Sequence, residues 1–119
     1  MTLKLRQQSM DYAARFIKEG RLVKDQREFW PDHKPSAEQE DEFIRQHGFG
    51  EYGNWHLAID DEERADSKAR YKFPYGDFRN VHRCAVLSIE RQAEEEKYAG
   101  IQNAAAHLHG MIDGVKVTS

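Results

Sequence analysis

The sequence predicts an all-α, or mainly α, fold: a compact single-domain bundle of about four helices with a long irregular basic and aromatic loop. Three observations lead to this prediction. Apolar residues recur at helical spacing in four segments. Each of these segments has a residue suited to begin or end a helix. Strand signals are confined to 21–24 and 71–75, which are both short. A length of 119 residues fits one domain, 1–119.

The four predicted helices share an apolar face and a recognisable boundary, and they are expected at 3–19, 37–47, 78–97 and 99–113. Gly20 is suited to end the first helix, because glycine readily adopts the left-handed conformation that follows a helix. Ser36 and Gln39 form a capping box at the start of the second. Asp77 is a good N-cap for the third helix, and Gly114 ends the fourth.

The stretches between these helices are expected to be mostly irregular. Residues 21–35 contain two prolines, each of which disfavours helix just before it. Residues 51–59 are interpreted as a short helix, because three of their large apolar side chains are spaced three and four apart. The acidic run 60–66 is expected to face solvent. Residues 68–76 are expected to form a loop, since a proline and a glycine punctuate them.

Composition limits the class of protein. The net charge is −3 and the pI is about 6.1, which argues against indiscriminate nucleic-acid binding by the whole surface. The single cysteine, Cys84, cannot form an internal disulfide, so we expect a reducing, cytoplasmic location. No stretch approaches the length and apolarity of a membrane span, so no membrane partner is expected.

The most informative segment is 68–83, which carries five Lys or Arg residues against one acid, together with four aromatic rings. Cations can bind phosphate or carboxylate oxygens, and exposed rings can stack on bases. The candidate ligand-binding residues are Arg70, Lys72, Tyr75, Arg79, His82 and Arg83. The expected partner is anionic: a nucleic acid, a nucleotide or an acidic protein. The alternative is that the rings belong to the core and the cations pair with the acidic run 60–66.

No metal, cofactor or catalytic residue is predicted from spacing. His107 and His109 are two positions apart, as are His82 and Cys84, so on a helix each pair points to different faces. One cysteine also argues against a closed structural zinc site. A His-plus-carboxylate site assembled from distant segments stays open. Cys84 can be read as an activated thiol beside cations or as a buried, inert side chain.

These observations favour a non-enzymatic binding or interaction module with an anion-binding surface at 68–83. One alternative is a small enzyme with a His/carboxylate site, for which His56, His82 and Glu90 are the first candidates. The other is a structural subunit of a homo-oligomer, with exposed rings at a two-fold interface of a homodimer.

The block Tyr71-Lys-Phe-Pro-Tyr-Gly-Asp-Phe78, followed by Val81-His-Arg-Cys84, resembles a group of small uncharacterised proteobacterial proteins. Two further segments carry the resemblance: Trp55-His-Leu-Ala-Ile-Asp60 and Ala105-Ala-His-Leu-His109. The first block also resembles prophage-associated sequences. The resemblance implies a single domain, and it implies no activity and no catalytic residues.

If the segment 68–83 binds an anion, replacing both Arg79 and Arg83 by Ala should weaken binding. The free energy of unfolding should stay within ~0.5 kcal/mol of wild type, because surface changes are usually small. Binding by the wild type should fall steeply with salt, since each neutralised phosphate releases counterions. A double variant that unfolds, together with a wild-type melting temperature that no anion raises, would mean that these arginines are structural.

Overall fold

The computed structural model describes residues 3–115 and combines helices with strands, so the prediction of an all-α fold is wrong. The helices are α1 Gln7–Lys18, α2 Trp30–His33, α3 Ala37–Asn54, α4 Arg83–Glu95 and α5 Ala99–Gly114. The strands are β1 Leu3–Leu5, β2 Leu22–Val23, β3 His56–Asp60, β4 Tyr71–Pro74 and β5 Val81–His82. They form a mixed α/β fold with one three-stranded and one two-stranded sheet.

The larger sheet is antiparallel, with β3 between β1 and β4. Its strands contain residues that were predicted to lie in helices or in a loop. Strand β3 is buried along most of its length, and it bonds to a neighbour on each side. Such a strand has no solvent face, so its apolar residues lack the alternation that marks a strand in sequence. The predicted short helix at 51–59 is therefore divided between the end of α3 and β3.

The smaller sheet pairs β2 with β5 in parallel, with Leu22 opposite Val81 and Val23 opposite His82. Because of β5, the third long helix begins at Arg83 and not near residue 78. Asp77 does accept backbone hydrogen bonds, as predicted for an N-cap. Its Oδ1 accepts from the N–H groups of Arg79 and Asn80 at 3.0 and 2.8 Å and closes a turn that leads into a strand. Asx turns and helix caps use the same side chain, so sequence alone does not separate them.

Several predicted boundaries are confirmed. Helix α1 ends at Lys18, and Gly20 follows it with a φ of 79°. The capping box of Ser36 and Gln39 is present at the start of α3. The predicted end of the second helix at residue 47 is met only in part: Gly48 interrupts α3 with a φ of 85° and a ψ of 170°, but a second helical segment continues to Asn54. Helix α5 matches the predicted fourth helix within a residue.

The main core lies between the larger sheet and three helices. Helices α4 and α5 pack against each other, α5 contacts β1, and α1 contacts β3. The largest fully buried side chains include Trp55, Tyr75 and Leu57 from the sheet region and Leu108 and Ile112 from α5. This core fixes β4 and the start of α4, and thereby the segment 75–82 that joins them. Among the described residues, no helix has both the length and the apolar composition that crossing a bilayer requires.

His56 is a buried polar residue in this core, and its exposed fraction is 2%. Its Nδ1 lies 2.8 Å from the carbonyl oxygen of Tyr52 and donates to it in the neutral ring. Burial lowers the pKa of His56 to about 4, although the Tyr52 carbonyl opposes the shift. The unfolded ring takes up a proton near pH 6.5, while the folded ring does so only near pH 4. Stability must therefore fall as the pH drops through this interval.

We expect the titration of His56 to lower the free energy of unfolding by about 2 kcal/mol as the pH drops from 7.5 to 5. The substitution His56→Asn keeps an N–H donor but cannot titrate, so its free energy of unfolding should fall by about 2 kcal/mol less than wild type over that range. Urea denaturation at a series of pH values measures the difference. The exposed His107 provides the control His107→Asn, which should follow the wild-type curve. Parallel curves for His56→Asn and wild type would contradict the assignment.

Candidate metal centre

Four side chains with metal-binding chemistry meet at one end of the smaller sheet. They are Asp25, His33, His82 and Cys84, here called the Asp25 cluster, and each offers one ligand atom within 4.8 Å of all the others. The residues come from three separate parts of the chain: the segment after β2, helix α2, and the junction of β5 with α4. No spacing rule within one segment can reveal such a group. It exists only because the fold brings the three segments together.

The parallel pairing of β2 with β5 accounts for two members of the cluster. Parallel strands run side by side, so the residues that follow them leave the same edge of the sheet. Asp25 comes two positions after β2, and Cys84 comes two positions after β5. The Cys84 backbone N–H donates to Asp25 Oδ1 at 2.7 Å. Helix α4 has no acid in its own first turn, and Asp25 supplies a negative charge at this positive end.

His33 reaches the cluster from α2, a single turn of helix. Trp30, at the start of this turn, is buried with Cys84 and Ala85 in a small apolar cluster of its own. Its ring centroid lies 5.9 Å from that of His82. Anchored in this way, α2 directs His33 Nδ1 to within 2.6 Å of Asp25 Oδ2 and 3.9 Å of Cys84 Sγ. The His33 side chain is 35% exposed and forms the solvent side of the cluster.

His82 is held between two carboxylates. Its Nδ1 lies 2.7 Å from Asp25 Oδ2, and its Nε2 lies 2.8 Å from Asp77 Oδ2. A neutral imidazole has one N–H and one lone pair, so it cannot donate to both carboxylates. His82 therefore either carries a proton on both nitrogens or gives one lone pair to a cation. The two carboxylates raise the pKa of His82 even though its burial lowers it.

Both carboxylates are kept ionised. Burial alone raises the pKa of Asp25, but hydrogen bonds from His82, Cys84 and His33 outweigh it and bring the pKa down to about 2. Burial likewise raises the pKa of Asp77, and hydrogen bonds from His82 and from the Asn80 and Arg79 backbone bring it down to about 2. The cluster thus presents negative oxygen to its two imidazoles at any pH near neutrality.

Cys84 is fully buried, in agreement with one of the two interpretations of the sequence. Burial raises the pKa of its thiol, and the nearby Asp25 carboxylate raises it further. A thiol in this setting is a poor nucleophile, because the thiolate is the reactive form. A metal cation would reverse this effect, since coordination deprotonates a thiol outright. Cys84 is therefore suited to ligation and not to attack on a substrate.

An open groove of about 1110 Å³ lies against the cluster. One wall is the first half of α3, and the other is the turn that contains Asp77, Phe78 and Arg79. His33 and Asp77 line the groove, so the cluster reaches solvent on this side. Phe78 has a φ of 70°, a strained value for a bulky residue, and its ring stacks on Phe43 at 4.3 Å. The Asp77 hydrogen bonds hold the strained turn in this shape.

The predicted ligand-binding residues lie in different parts of the fold. His82 belongs to the Asp25 cluster, and Arg83 is next to it. Arg83 donates to Asp113 Oδ1 at 2.9 Å and to the Asp25 carbonyl oxygen at 3.4 Å, so it ties α5 to the segment after β2. Arg79 is exposed on the groove. The sequence placed Arg79 and Arg83 on one helix, and this prediction is wrong. Strand β5 follows Arg79, and α4 begins only at Arg83.

The remaining three candidates lie on or near β4. Tyr75 is fully buried, and its hydroxyl donates to the Asn54 carbonyl oxygen at 2.5 Å. Arg70 donates to the Glu63 carbonyl oxygen at 2.9 Å, which ties it to the acidic run 60–66. Lys72 pairs with Ala58 across the sheet. The alternative interpretation of 68–83 was that its rings belong to the core and its cations pair with the acidic run. The buried Tyr75 ring and the hydrogen bond from Arg70 to Glu63 in that run match it.

The sequence named His82 as a candidate anion ligand, but its spacing argument separated His82 from Cys84, and it missed Asp25 and His33 as their partners. His82 belongs to β5 and Cys84 to α4, so the different-faces argument for one helix does not apply to them. The signal lay in strand pairing. Residues 21–24 were recognised as a possible strand, and the match of 22–23 with 81–82 would have set Asp25 opposite Cys84. Of the three residues suspected of enzymatic roles, His82 lies in the cluster, whereas His56 is in the core and Glu90 lies 3.0 Å from His109.

Comparisons of the chain with protein-family models, curated proteins and solved structures found no match. The resemblance of the Tyr71–Phe78 block to small proteobacterial proteins stays a prediction.

The substitution Asp25→Ala should lower the free energy of unfolding by roughly 3 kcal/mol, measured by urea denaturation with a chelator present. It removes the acceptor for the buried His82 ring and for the Cys84 N–H. Asp32→Ala, at an exposed position of α2, should stay within ~0.5 kcal/mol of wild type. A loss at Asp25 no larger than that at Asp32 would show that the carboxylate does not hold the segments together.

Proposed function

We propose that this protein binds one divalent transition-metal ion, of the Zn²⁺ class, through the Asp25 cluster. The observation that carries the proposal is the meeting of a carboxylate oxygen, two imidazole nitrogens and a thiol within 4.8 Å. Three of these four side chains are almost inaccessible: Cys84 is fully buried, and the side chains of Asp25 and His82 are each 7% exposed. Exposed groups of acidic residues are common without a metal ion. This cluster differs, because three of its four side chains are almost inaccessible and only one of them is an acid.

The donor set selects the kind of ion. Nitrogen and sulfur donors suit Zn²⁺ and its neighbours among the transition metals, whereas Mg²⁺ and Ca²⁺ prefer sites made of oxygen. Four protein ligands match the tetrahedral preference of Zn²⁺. The carboxylate and the thiolate would balance the charge of a divalent ion. Asp25, His33, His82 and Cys84 therefore form a chemically complete site.

The surroundings of the cluster also match those of metal sites. A histidine that binds a metal usually donates its other ring N–H to a carboxylate or a carbonyl, which fixes its tautomer and orientation. His82 has this arrangement, with Nδ1 toward the cluster and Nε2 toward Asp77. Asp77 is itself held by two backbone N–H groups. Similarly, Asp25 uses Oδ1 for the Cys84 N–H and leaves Oδ2 facing the histidines.

Metal binding requires a small expansion of the cluster. The two histidine nitrogens lie 2.6 and 2.7 Å from Asp25 Oδ2, which are hydrogen-bond distances. Around a tetrahedral Zn²⁺ with bonds near 2.1 Å, neighbouring ligand atoms would lie about 3.4 Å apart. Without a metal, a proton on His82 Nδ1 would form the hydrogen bond to Asp25 Oδ2. The ion would replace that proton and the proton of the Cys84 thiol, so binding would release protons.

Two further proposals concern the setting of the site. A reducing cytoplasm suits it, because an intact Cys84 thiol is required for ligation. An anionic partner is the second candidate function, and the exposed Arg79 on the groove supports it. Binding of nucleic acid, a nucleotide or an acidic protein, and formation of a homodimer, stay proposals from the sequence. A small enzyme with a His/carboxylate site is compatible with a metal centre beside a groove.

Titration with Co²⁺ tests the metal proposal, because tetrahedral Co²⁺ gives visible d–d bands and a thiolate ligand adds a near-ultraviolet charge-transfer band. We expect saturation at one equivalent in the wild type. Cys84→Ser should abolish the charge-transfer band, and His82→Gln should weaken binding strongly. Asp77→Asn should weaken binding by roughly 10–100-fold, since it disturbs the hydrogen bond that orients His82.

The control is His107→Gln, which changes an exposed histidine on α5 and should bind Co²⁺ like the wild type. Circular dichroism of each variant establishes that it is folded. The metal proposal fails if the folded wild type develops no charge-transfer band, or if Cys84→Ser keeps it.

A further inference from the structure

Three of the four proposed ligands are shut away from solvent, and the fourth, His33, lies on the groove side of them. The side chains of Asp25 and His82 are each 7% exposed, and Cys84 is fully buried. The His33 side chain is 35% exposed and lines the groove. An ion that arrives along the groove therefore meets the His33 ring first, and this ring stands in front of the other three ligands.

His33 is held by fewer bonds than the second histidine of the cluster. His82 is bonded through both ring nitrogens, to Asp25 and to Asp77. Within the described residues, the bonds of His33 go through Nδ1 alone, to Asp25 Oδ2 at 2.6 Å and to Cys84 Sγ at 3.9 Å. A rotation of the His33 side chain would break these two contacts and no others, whereas His82 is fixed from both sides.

The groove provides the space into which the His33 ring can turn. Trp30 anchors α2 in its small apolar cluster, so the helix can stay in place while the His33 side chain moves. The walls of the groove carry three carboxylates, those of Glu38, Glu42 and Asp77. An imidazole that turns outward would therefore enter a space lined by negative oxygen, which favours an N–H donor.

Phe29 favours the inward position of the His33 ring. Among the described residues, Phe29 is the large apolar side chain that lies exposed, at 43%. Its ring stacks on the ring of His33, with the centroids 5.7 Å apart and 14° between the planes. A ring this exposed buries little area, so its main contribution is the stack itself. This stack supports the orientation in which His33 Nδ1 faces Asp25.

Building on the proposed metal centre, we propose that His33 is a gate for the ion. Its side chain turns into the groove to let the ion enter or leave, and Phe29 latches it in the closed position. Asp25, His82 and Cys84 stay in place throughout. All four ligands surround the ion in the closed state, and the open state is a minor population. The gate then sets the rate of metal exchange, and the four ligands set the affinity.

Stopped-flow kinetics with Co²⁺ test the gate, because the charge-transfer band follows association directly and follows dissociation after mixing with excess chelator. Phe29→Ala should raise both rate constants by roughly 2–10-fold, the effect of one aromatic contact. Kd should stay within roughly twofold of wild type, because the stack is lost from the closed state with and without the ion. The matched control is Phe49→Ala, which removes a partly exposed ring that stacks on Tyr71 and should keep wild-type rates.

His33→Ala gives a second test, because it removes the gate together with one ligand. The variant should bind Co²⁺ more weakly than the wild type and yet associate faster, by roughly tenfold or more. The reason is that an open state of ~10% or less limits association in the wild type. A histidine that served only as a ligand would give an association rate in the variant that is unchanged or slower.

The outcomes separate the gate from the metal proposal, with circular dichroism to establish that each variant is folded. If His33→Ala associates no faster than the wild type, or if Phe29→Ala changes dissociation alone, the gate is overturned and the metal proposal stands. Phe29→Ala keeps all four ligands, so it decides the gate by itself where His33→Ala binds too weakly to follow. If the wild type never develops the Co²⁺ bands, the metal proposal is wrong and the gate is overturned with it.

Discussion

The Asp25 carboxylate is the interaction on which this end of the molecule depends. Its two oxygens accept from a backbone N–H at the start of α4 and from two histidine rings, so one side chain joins the segment after β2, helix α2 and the β5–α4 junction. A buried carboxylate is costly unless donors surround it, and here they lower its pKa to about 2. The same donors make the cluster a strong candidate for a metal ion, because a cation could replace their protons.

The fold builds this arrangement from short elements attached to a larger core. Two two-residue strands would not be stable alone. They persist because β5 runs directly into α4, whose far side packs on α5 and the main core. The turn at 77–80 adds a second constraint, since Asp77 both closes it and holds His82. Strain at Phe78 and the buried carboxylate of Asp25 are features that stability alone does not favour, and both lie near the groove.

The sequence predicted most of the helices and gave weak strand signals at 21–24 and 71–75, but it predicted neither the two sheets nor the site. The helical spacing of α5, the Ser36 capping box and the stop at Gly20 are local signals, and the structure bears them out. Strand β3 is buried on both faces, so it lacks the alternation that reveals a strand. Asp77 looked like a helix cap because a turn and a cap use the same hydrogen bonds. His82 was a candidate ligand-binding residue, and Cys84 was left open between an activated and an inert thiol. Their partners were not recognised, because long-range pairing sets Asp25 and His33 beside them.

The central claim is that one ion binds to a sulfur, two nitrogens and an oxygen at this cluster. X-ray absorption at the zinc edge, on protein loaded with one equivalent of Zn²⁺, tests it most directly. Our account predicts one sulfur at about 2.3 Å and three nitrogen or oxygen ligands at about 2.0–2.2 Å. The sulfur contribution should vanish in Cys84→Ser. A first shell of oxygen and nitrogen alone in the wild type, or six ligands without sulfur, would contradict it.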